Sequence, residues 1–278
     1  MLEALKQQVR LSVEAGLDDD LVDRIDALKA ELDGRETDDF GFDPEQLKIV
    51  LPVVEFFYRK YFRVETFGLH DLPEGRVLFI ANHSGQIPID AMMLATALIL
   101  DGDPPRAVRS MIERWVPELP FVSTFFTRMG QVLGTPENCR EMLSREYPVM
   151  VFPEGVRGIN KTFDKKYQLQ DFGHGFMRLA LETNTPIVPV GVVGAEEQLP
   201  AFWNATPIAK LLGIPAVPVV PTPFPLPSKY RIYFGRPLHF EGDPDDVDQV
   251  IGAKVTQVRE AIDALLQRGL AERKHVFW

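Results

Sequence analysis

The sequence predicts an α/β protein in which a largely parallel or mixed central sheet is flanked by helices. From about residue 63 onward, short apolar runs alternate with amphipathic segments of helical periodicity. The runs are too apolar for strands with one face in water, which indicates a sheet covered by helices on both sides. A chain of 278 residues with 45% hydrophobic residues is large enough for one such domain and an extension.

The first part of the chain, residues 1–43, is predicted to be an acidic helical extension and linker, with the main domain over residues 44–278. Apolar residues at helical spacing predict two short helices within residues 1–33, separated by a glycine and an acidic run. Residues 1–46 carry −9 of the net charge of −10, so the rest of the chain is nearly neutral. Because no basic stripe with interleaved aromatic residues occurs, we expect no nucleic-acid partner.

The elements of the main domain follow in order along the chain. A helix after Pro44 precedes a buried strand at residues 77–81, and a second helix spans residues 88–100. Thr135 and the residues after it predict another helix start, in which the single cysteine, Cys139, is a buried structural thiol. The remaining predicted elements are strands at residues 149–152, 187–193 and 230–234 and helices at residues 172–183 and 244–270.

The cysteine content and the apolar segments bear on compartment and membrane contact. One cysteine and a start without a signal pattern predict a reducing, cytoplasmic location. The best apolar run, residues 91–100, is well short of the roughly 20 residues that a spanning helix needs. Residues 199–227 contain eight prolines among large apolar residues, which excludes a regular helix or central strand. This segment is either a surface loop that contacts lipid or a loop packed over the sheet.

Residues 82–90 (Asn-His-Ser-Gly-Gln-Ile-Pro-Ile-Asp) are the first candidate for chemistry, because they join a buried strand directly to a helix. In parallel α/β sheets, active sites form where strands end, and His83 falls at that position. Asp90 falls in the first helical turn, where the helix dipole favours its anion and where it can hold a histidine in one tautomer. The alternative is a hydrogen-bonded loop histidine beside a helix-start charge.

Residues 152–157 (Phe-Pro-Glu-Gly-Val-Arg) follow a second buried strand, so they fall on the same edge of the sheet as His83. Glu154 and Arg157 would bracket a polar ligand, and Gly155 would let backbone amides approach it closely. The alternative is an ordinary turn with solvated charges. Because no group of histidine, cysteine and carboxylate side chains has metal-ligand spacing, we predict no metal site.

These motifs resemble those of the glycerolipid and lysophospholipid acyltransferase superfamily. The family's first block is a histidine and an aspartate in a strand-to-helix turn, here His83 and Asp90, and its third block is Phe-Pro-Glu-Gly-x-Arg, here residues 152–157. Its fourth block is an apolar Val-Pro-Val strand, here residues 187–190. The resemblance covers about residues 47–275 and implies a glycerol-3-phosphate acyltransferase-like fold. Similarity to the branch related to monoacylglycerol acyltransferases is found in segments 167–181, 194–197 and 226–235.

The chain departs from the family pattern in two places. Six residues separate His83 from Asp90, whereas the common first block has a shorter spacer. The second block normally supplies an arginine for an acceptor phosphate, and Pro136 stands at that position here. Either other cations contact the phosphate or the acceptor carries no phosphate there. The candidate cations are Arg157, Arg128 and Lys161.

The resemblance implies an O-acyltransferase that moves a fatty acyl group from a thioester to a hydroxyl of a glycerolipid or lysophospholipid acceptor. His83 would be the general base and Asp90 its orienting partner. The other implied roles are acceptor binding by Glu154, Gly155 and Arg157, and an oxyanion site from the backbone amides of Ser84, Gly85 and Gln86. No bound cofactor is expected. The acyl donor would be acyl-CoA or acyl carrier protein, with Lys161, Lys165 and Lys166 either near its phosphates or on a solvated loop.

Two other functions remain open at this point. His83 could activate water, which would make the protein an acyl thioesterase, and an acceptor pocket that excludes water would argue against that. The chain could also be a non-catalytic lipid-binding protein with the same fold. Because the products are lipids, we expect peripheral contact with the inner face of a membrane, through residues 199–227 and the tail 273–278.

Overall fold

The computed structural model describes residues 18–84, 87–112, 122–204 and 218–278. Within these ranges, seven strands form one mixed sheet in the order β1-β9-β6-β2-β5-β3-β4, and β7 and β8 form a separate two-stranded ladder. The strands are β1 (Glu65–Phe67), β2 (Leu78–Ala81), β3 (Arg109–Ile112), β4 (Gln131–Leu133), β5 (Val149–Val151), β6 (Ile187–Val193), β7 (Trp203–Asn204), β8 (Pro218–Val219) and β9 (Arg231–Phe234).

The strand directions agree with the α/β prediction. The five strands β6, β2, β5, β3 and β4 run parallel to one another, while β9 is antiparallel to β6 and parallel to β1. The sheet is therefore mixed, with a parallel centre whose strands all end at one edge.

The helices cover both faces of the sheet. They are α1 (Asp19–Ala30), α2 (Pro44–Glu55), α3 (Ile89–Leu100), α4 (Val122–Arg128), α5 (Pro136–Ser144), α6 (Val156–Ile159), α7 (Gly175–Thr183), α8 (Ala195–Gln198) and α9 (Asp248–Glu272). Sequence signals explain where several begin. The Asp43 carboxylate accepts hydrogen bonds from the first-turn amides of α2, and Thr135 does the same for α5, each ahead of a proline that suits the first helical position.

Two hydrophobic cores lie on opposite faces of the sheet because strand side chains alternate. Phe79 and Ala81 face the core that includes residues of α1, α2 and α3. Leu78 and Ile80 face the core that includes residues of α5, α7 and α9. The central strand β2 is buried on both faces, which is why its sequence is apolar at every position.

The acidic extension packs on the main domain where the structure describes it. Leu21, Ile25 and Leu28 of α1 belong to the same core as α3, and the Arg24 guanidinium donates to the carbonyl oxygens of Ile99 and Gly102. The linker is held by a buried ion pair, in which Arg109 Nη2 lies 2.7 Å from Asp38 Oδ2. The first of the two predicted N-terminal helices lies outside the described residues.

Most predicted elements are found within a few residues of their expected limits, and three strands of the sheet were missed. β1, β3 and β4 are three or four residues long and include polar residues such as Glu65, Arg109 and Gln131. Their pairing with distant strands, and not a local apolar run, makes them strands. The proline-rich segment 199–227 forms the β7–β8 ladder, and its residues 205–217 lie outside the described ranges.

Candidate active site

The candidate site is assembled at the edge where the parallel strands end. The register pairs Ile80 of β2 with Val151 of β5, and Ala81 of β2 with Val190 of β6. His83 follows β2 by two residues and Glu154 follows β5 by three, so the two predicted motifs meet there. Adjacent parallel strands therefore bring together residues that are far apart along the chain.

His83 and Asp90 form the hydrogen-bonded pair that the sequence predicted. His83 Nδ1 lies 2.8 Å from Asp90 Oδ2, and the side chains are 13% and 0% exposed. The backbone amides of Ser84 and Ala91 also donate to the Asp90 carboxylate, at 2.9 and 2.8 Å. The Asp90 carboxylate thus accepts at Nδ1, which leaves Nε2 of His83 as the ring nitrogen without this partner. The six-residue spacer does not prevent the contact.

The predicted oxyanion role of the Ser84 amide is not supported by its direction. That N–H donates to Asp90, so it points into the His83–Asp90 pair and not toward a reacting carbonyl. The Ser84 hydroxyl is buried and has no hydrogen-bond partner in the described part of the chain. Gly85 and Gln86, the other two residues assigned to the oxyanion site, lie outside the described residues.

Glu154 supports the main chain at His83, which differs from its predicted contact with an acceptor. Its Oε1 accepts from the His83 amide at 2.9 Å, and its Oε2 accepts from the Gln170 amide at 2.8 Å. The side chain is fully buried. Both carboxylate oxygens thus accept from backbone donors, so Glu154 holds the loop at His83 in place.

An aromatic ring and a glycine enclose His83. The Phe152 ring stacks on the imidazole with 4.2 Å between centroids and 28° between planes. A Cβ on Gly158 would lie 2.9 Å from the carbonyl oxygen and Cβ of His83 and from the Cβ of Glu154, closer than non-bonded carbon atoms pack. Gly158 thus allows α6 to approach the loop of His83. Gly155 takes a left-handed φ of +56° and uses its amide within the turn, where it donates to the Phe152 carbonyl oxygen.

Asn82 ties the end of β2 to β6 beyond the last paired residues. Its amide nitrogen donates to the Val192 carbonyl oxygen at 3.1 Å, and its amide oxygen accepts from the Val192 N–H at 2.7 Å. These two hydrogen bonds take the place of backbone pairing between the strands and fix the direction in which the chain leaves β2. The roles of Asn82 and Phe152 were not predicted, although both residues lie inside the two motifs.

Two of the three candidate phosphate cations lie elsewhere than predicted. Lys161 is buried, with its Nζ 2.9 Å from Glu196 Oε1 and 3.6 Å from Glu154 Oε2, so it does not face an incoming phosphate. Arg128 ends α4 just before β4, at the opposite end of the parallel strands from His83. Arg157 is the candidate that stays at the site. Its side chain is exposed, its Nη2 donates to the Asp171 carbonyl oxygen at 2.9 Å, and it directly precedes Gly158.

A buried polar network extends from this edge to the C-terminal segment. Arg273 Nη1 lies 2.7 Å from Glu197 Oε1, and the Tyr167 hydroxyl donates to Glu197 Oε2 while accepting from the Gly194 amide. Burial, together with the Glu197 carboxylate, holds the pKa of Tyr167 well above its ordinary value, so the phenol remains a donor. Arg273 is therefore engaged inside the fold and does not act as a membrane-facing cation of the tail.

Burial also perturbs the carboxyl group of Glu196. Desolvation raises the pKa of Glu196, and the neighbouring Lys161 ammonium opposes that shift. Nearby, the Tyr230 hydroxyl donates to Gln198 Oε1, and burial raises the pKa of this phenol as well. Sequence reasoning missed these residues, because charged side chains after β6 carry no local sign that they will be buried.

The arrangement suits proton transfer from a hydroxyl. His83 has one ring nitrogen held by a buried carboxylate and a second one that can accept a proton. Within the described residues, no group of three or more histidine, cysteine and acidic side chains is placed to hold a metal ion. The same ranges contain no helix long and apolar enough to cross a membrane.

Known proteins are similar to this chain in sequence and in fold. The family model described as Acyltransferase matches residues 63–193. A protein of Mycobacterium leprae is 37% identical over 266 residues, which cover 90% of this chain and 72% of that protein. A Gallus gallus protein, named DGAT1/2-independent enzyme synthesizing storage lipids, is 25% identical over 200 residues, 71% of this chain and 58% of the relative.

A solved structure extends the comparison to the fold. The crystal structure of the 1-acyl-sn-glycerophosphate (LPA) acyltransferase PlsC from Thermotoga maritima superimposes with a TM-score of 0.55 at 15% identity, and the match covers 83% of each chain. The His83–Asp90 turn and the motif at residues 152–157 both lie inside the segment that the family model matches. This chain belongs to the acyltransferase family.

Proposed function

We propose that this protein transfers a fatty acyl group from an acyl thioester to a hydroxyl of a glycerolipid or lysophospholipid acceptor, with His83 as the general base. The observation that carries the proposal is the 2.8 Å contact between His83 Nδ1 and the fully buried Asp90 carboxylate, at the edge where the parallel strands end. The names of the relatives add support, since one synthesises storage lipids and one acylates a lysophospholipid.

The proposed step needs no covalent enzyme intermediate. Nε2 of His83 takes the proton as the acceptor O–H bond breaks, and the acceptor oxygen bonds to the thioester carbonyl carbon. When the tetrahedral adduct collapses, the carbon–sulfur bond breaks and the leaving thiolate takes the proton from Nε2. The Asp90 anion stabilises the imidazolium between these two transfers. The thioester is already activated, so a nucleophilic serine or cysteine is unnecessary.

The acyl donor is proposed to be acyl-CoA or acyl carrier protein. Both donors carry phosphate, and the exposed cations that follow β5 along the chain are suited to it: Arg157, Lys165 and Lys166. Lys161 and Arg128 are not included, because the first is buried and the second lies at the far end of the strands.

Because the proposed acceptor is a lipid, we also propose that the protein contacts a bilayer through an apolar surface next to the site. We define this surface by its most exposed apolar side chains: Val53, Phe56, Ile87, Phe202, Trp203 and Phe224. Two hydrogen bonds connect segments that carry these side chains. The Tyr61 hydroxyl donates to the Pro225 carbonyl oxygen, and the Leu226 amide donates to the Gln198 carbonyl oxygen. Exposed aromatic clusters of this kind favour the lipid–water interface.

Thiol release from palmitoyl-CoA, combined with lipid product analysis, tests the transfer. Wild type, His83→Ala and His70→Ala are compared with lysophosphatidic acid, with monoacylglycerol and without acceptor. His70 is a matched control because it is a histidine that is mostly exposed on another turn. We expect His83→Ala to lose about 10²- to 10⁴-fold in kcat and His70→Ala to retain wild-type kcat. Release that needs no acceptor would instead identify a thioesterase. If palmitoyl-CoA releases no thiol with any acceptor, the assay is repeated with palmitoyl acyl carrier protein as the donor.

Flotation with vesicles of phosphatidylcholine and phosphatidylglycerol tests the apolar surface. A variant with Phe56, Trp203 and Phe224 changed to serine is compared with Val247→Ser/Val250→Ser, which alters exposed apolar residues outside that surface. We expect the first variant to lose co-flotation and the second to keep it. Equal flotation of both variants with wild type would refute the contact.

A further inference from the structure

We infer that Lys161 is a positioning residue for acyl transfer, which fixes the carboxylate that in turn fixes the main chain at His83. This inference rests on the proposed function, in which His83 is the base. The Lys161 side chain is 3% exposed, and its Nζ lies between two buried carboxylates, 2.9 Å from Glu196 Oε1 and 3.6 Å from Glu154 Oε2. An ammonium in this position does not contact the donor.

The contacts of Glu154 carry the effect to His83. One oxygen of Glu154 holds the His83 amide at 2.9 Å, and the other holds the Gln170 amide at 2.8 Å. Lys161 also lies 3.5 Å from the Gln168 carbonyl oxygen, next to the same loop. The ammonium therefore joins the turn after β5, the loop at residues 168–170 and the α8 helix around one carboxylate. Three separate segments depend on its charge.

Electrostatics indicate what loss of the Lys161 ammonium would do to Glu154. Glu154 and Glu196 are both buried, and each raises the energy of the other as an anion unless a cation lies between them. Without the ammonium, and while Glu196 is ionised, repulsion would push the Glu154 carboxylate away from Glu196. The hydrogen bond to the His83 amide then weakens and the imidazole loses its alignment. Misplacement of a catalytic group by about 1 Å can cost about 100-fold in rate.

This role differs measurably from the phosphate contact that the sequence suggested. A lysine that binds donor phosphate affects the KM for the donor, whereas a lysine that aligns the base affects kcat. Lys161→Met is the test, because methionine keeps much of the length of the side chain and removes the charge. Lys48→Met is the matched control, since Lys48 also lies between two carboxylates, at 3.1 Å from Asp26 and 3.5 Å from Glu45, but on α2.

We expect Lys161→Met to lower kcat by about 100-fold with little change in the donor KM, and Lys48→Met to leave both at wild-type values. Adding Glu196→Gln to Lys161→Met removes the unbalanced negative charge and should restore at least part of the kcat. This rescue distinguishes a charge effect from simple loss of packing. A raised donor KM at unchanged kcat, or a double variant no better than the single one, would overturn the inference.

The pH dependence gives a second readout. Glu196 faces the Lys161 ammonium, the Glu154 carboxylate and the Tyr167 amide, with the buried phenol of Tyr230 also near. Burial raises the pKa of Glu196 and Lys161 lowers it, so removal of Lys161 lets Glu196 protonate more readily. Protonation relieves the repulsion. The ratio of Lys161→Met to wild-type kcat should therefore rise as the pH falls, and Glu196→Gln should abolish that trend.

Hydrogen exchange at the His83 amide separates this inference from the proposed function. We expect faster exchange of that amide in Lys161→Met and slower, near-wild-type exchange in the double variant, whether or not the chosen substrates react. If wild type shows no transfer while the exchange follows this order, the proposed function fails and the positioning role stands. If wild type is active but kcat and exchange are unchanged in Lys161→Met, the positioning role fails.

Discussion

Replacement of Asp90 by asparagine or alanine tests how the carboxylate controls His83. Asp90 Oδ2 accepts from His83 Nδ1 and from the Ser84 amide, while Oδ1 accepts from the Ala91 amide, so all three neighbours act as donors. An asparagine offers one acceptor oxygen and one donor nitrogen. The oxygen satisfies two donors when it faces His83 and Ser84, but one when it faces Ala91. We therefore expect the oxygen to face His83, which preserves the tautomer that leaves Nε2 as the base.

The magnitudes follow from these contacts. Asp90→Asn exchanges a charge-assisted bond of about 1.5–3 kcal/mol for a neutral one of about 0.5–1.5 kcal/mol, which predicts a loss of about tenfold in kcat. In the same variant the NH2 group of the introduced asparagine faces the Ala91 N–H, so two donors meet and neither has an acceptor. This should lower the free energy of unfolding by about 1–3 kcal/mol. Asp90→Ala releases the imidazole altogether, so we expect a loss of about 10²- to 10⁴-fold in kcat.

The assay is acyl transfer at saturating substrates, with urea unfolding of each variant to confirm that the measured protein is folded. The predicted order of kcat is wild type, then Asp90→Asn, then Asp90→Ala. A wild-type kcat for Asp90→Ala would refute the orienting role. A value for Asp90→Asn as low as that for Asp90→Ala would refute the amide orientation and indicate the reversed tautomer, for which losses of about 10⁴-fold are typical.

Three further predictions concern packing, charge burial and thiol reactivity. Gly158→Ala places a Cβ 2.9 Å from the His83 carbonyl oxygen, so kcat should fall by about 100-fold while the unfolding midpoint in urea changes little; a wild-type kcat would contradict this. Arg273→Met leaves Glu197 buried without its cation and should cost about 3–5 kcal/mol in urea unfolding, partly recovered by adding Glu197→Gln; no recovery would argue against the charge explanation. Burial raises the pKa of Cys139 to about 11, so its thiol should react with Ellman's reagent near pH 8 only after unfolding; rapid reaction of native protein would refute this.

The His83–Asp90 pair and its setting were largely predictable from local sequence. An apolar run predicted the strand β2, and the residues after it predicted a helix that begins near Asp90, so His83 was expected where the strand ends. The structure confirms the strand, the helix and the contact between His83 and Asp90. The prediction succeeded because each part depends on its own neighbours: apolar composition produces a buried strand, and an acidic residue in a first helical turn lies near the preceding loop.

The roles of the charged residues around the pair were predicted less well. Glu154 was expected to bind the acceptor, and Lys161 either to contact phosphate or to lie on a solvated loop. The structure directs both side chains inward. Arg128 was expected near the site and lies at the other end of the strands. A lysine or glutamate has the same appearance in sequence whether it is solvated or buried, because burial is decided by the segments that fold over it.

The sequence by itself determined the α/β class, the central strands and the two motifs, because these depend on residues that are neighbours along the chain. The tertiary structure alone decided which charges are buried together and which backbone groups hold His83. The bond from Glu154 to the His83 amide joins residues 71 apart, and the bonds of Asn82 to Val192 join residues 110 apart. Such contacts form only when separate strands align in one sheet, and no local pattern encodes that alignment.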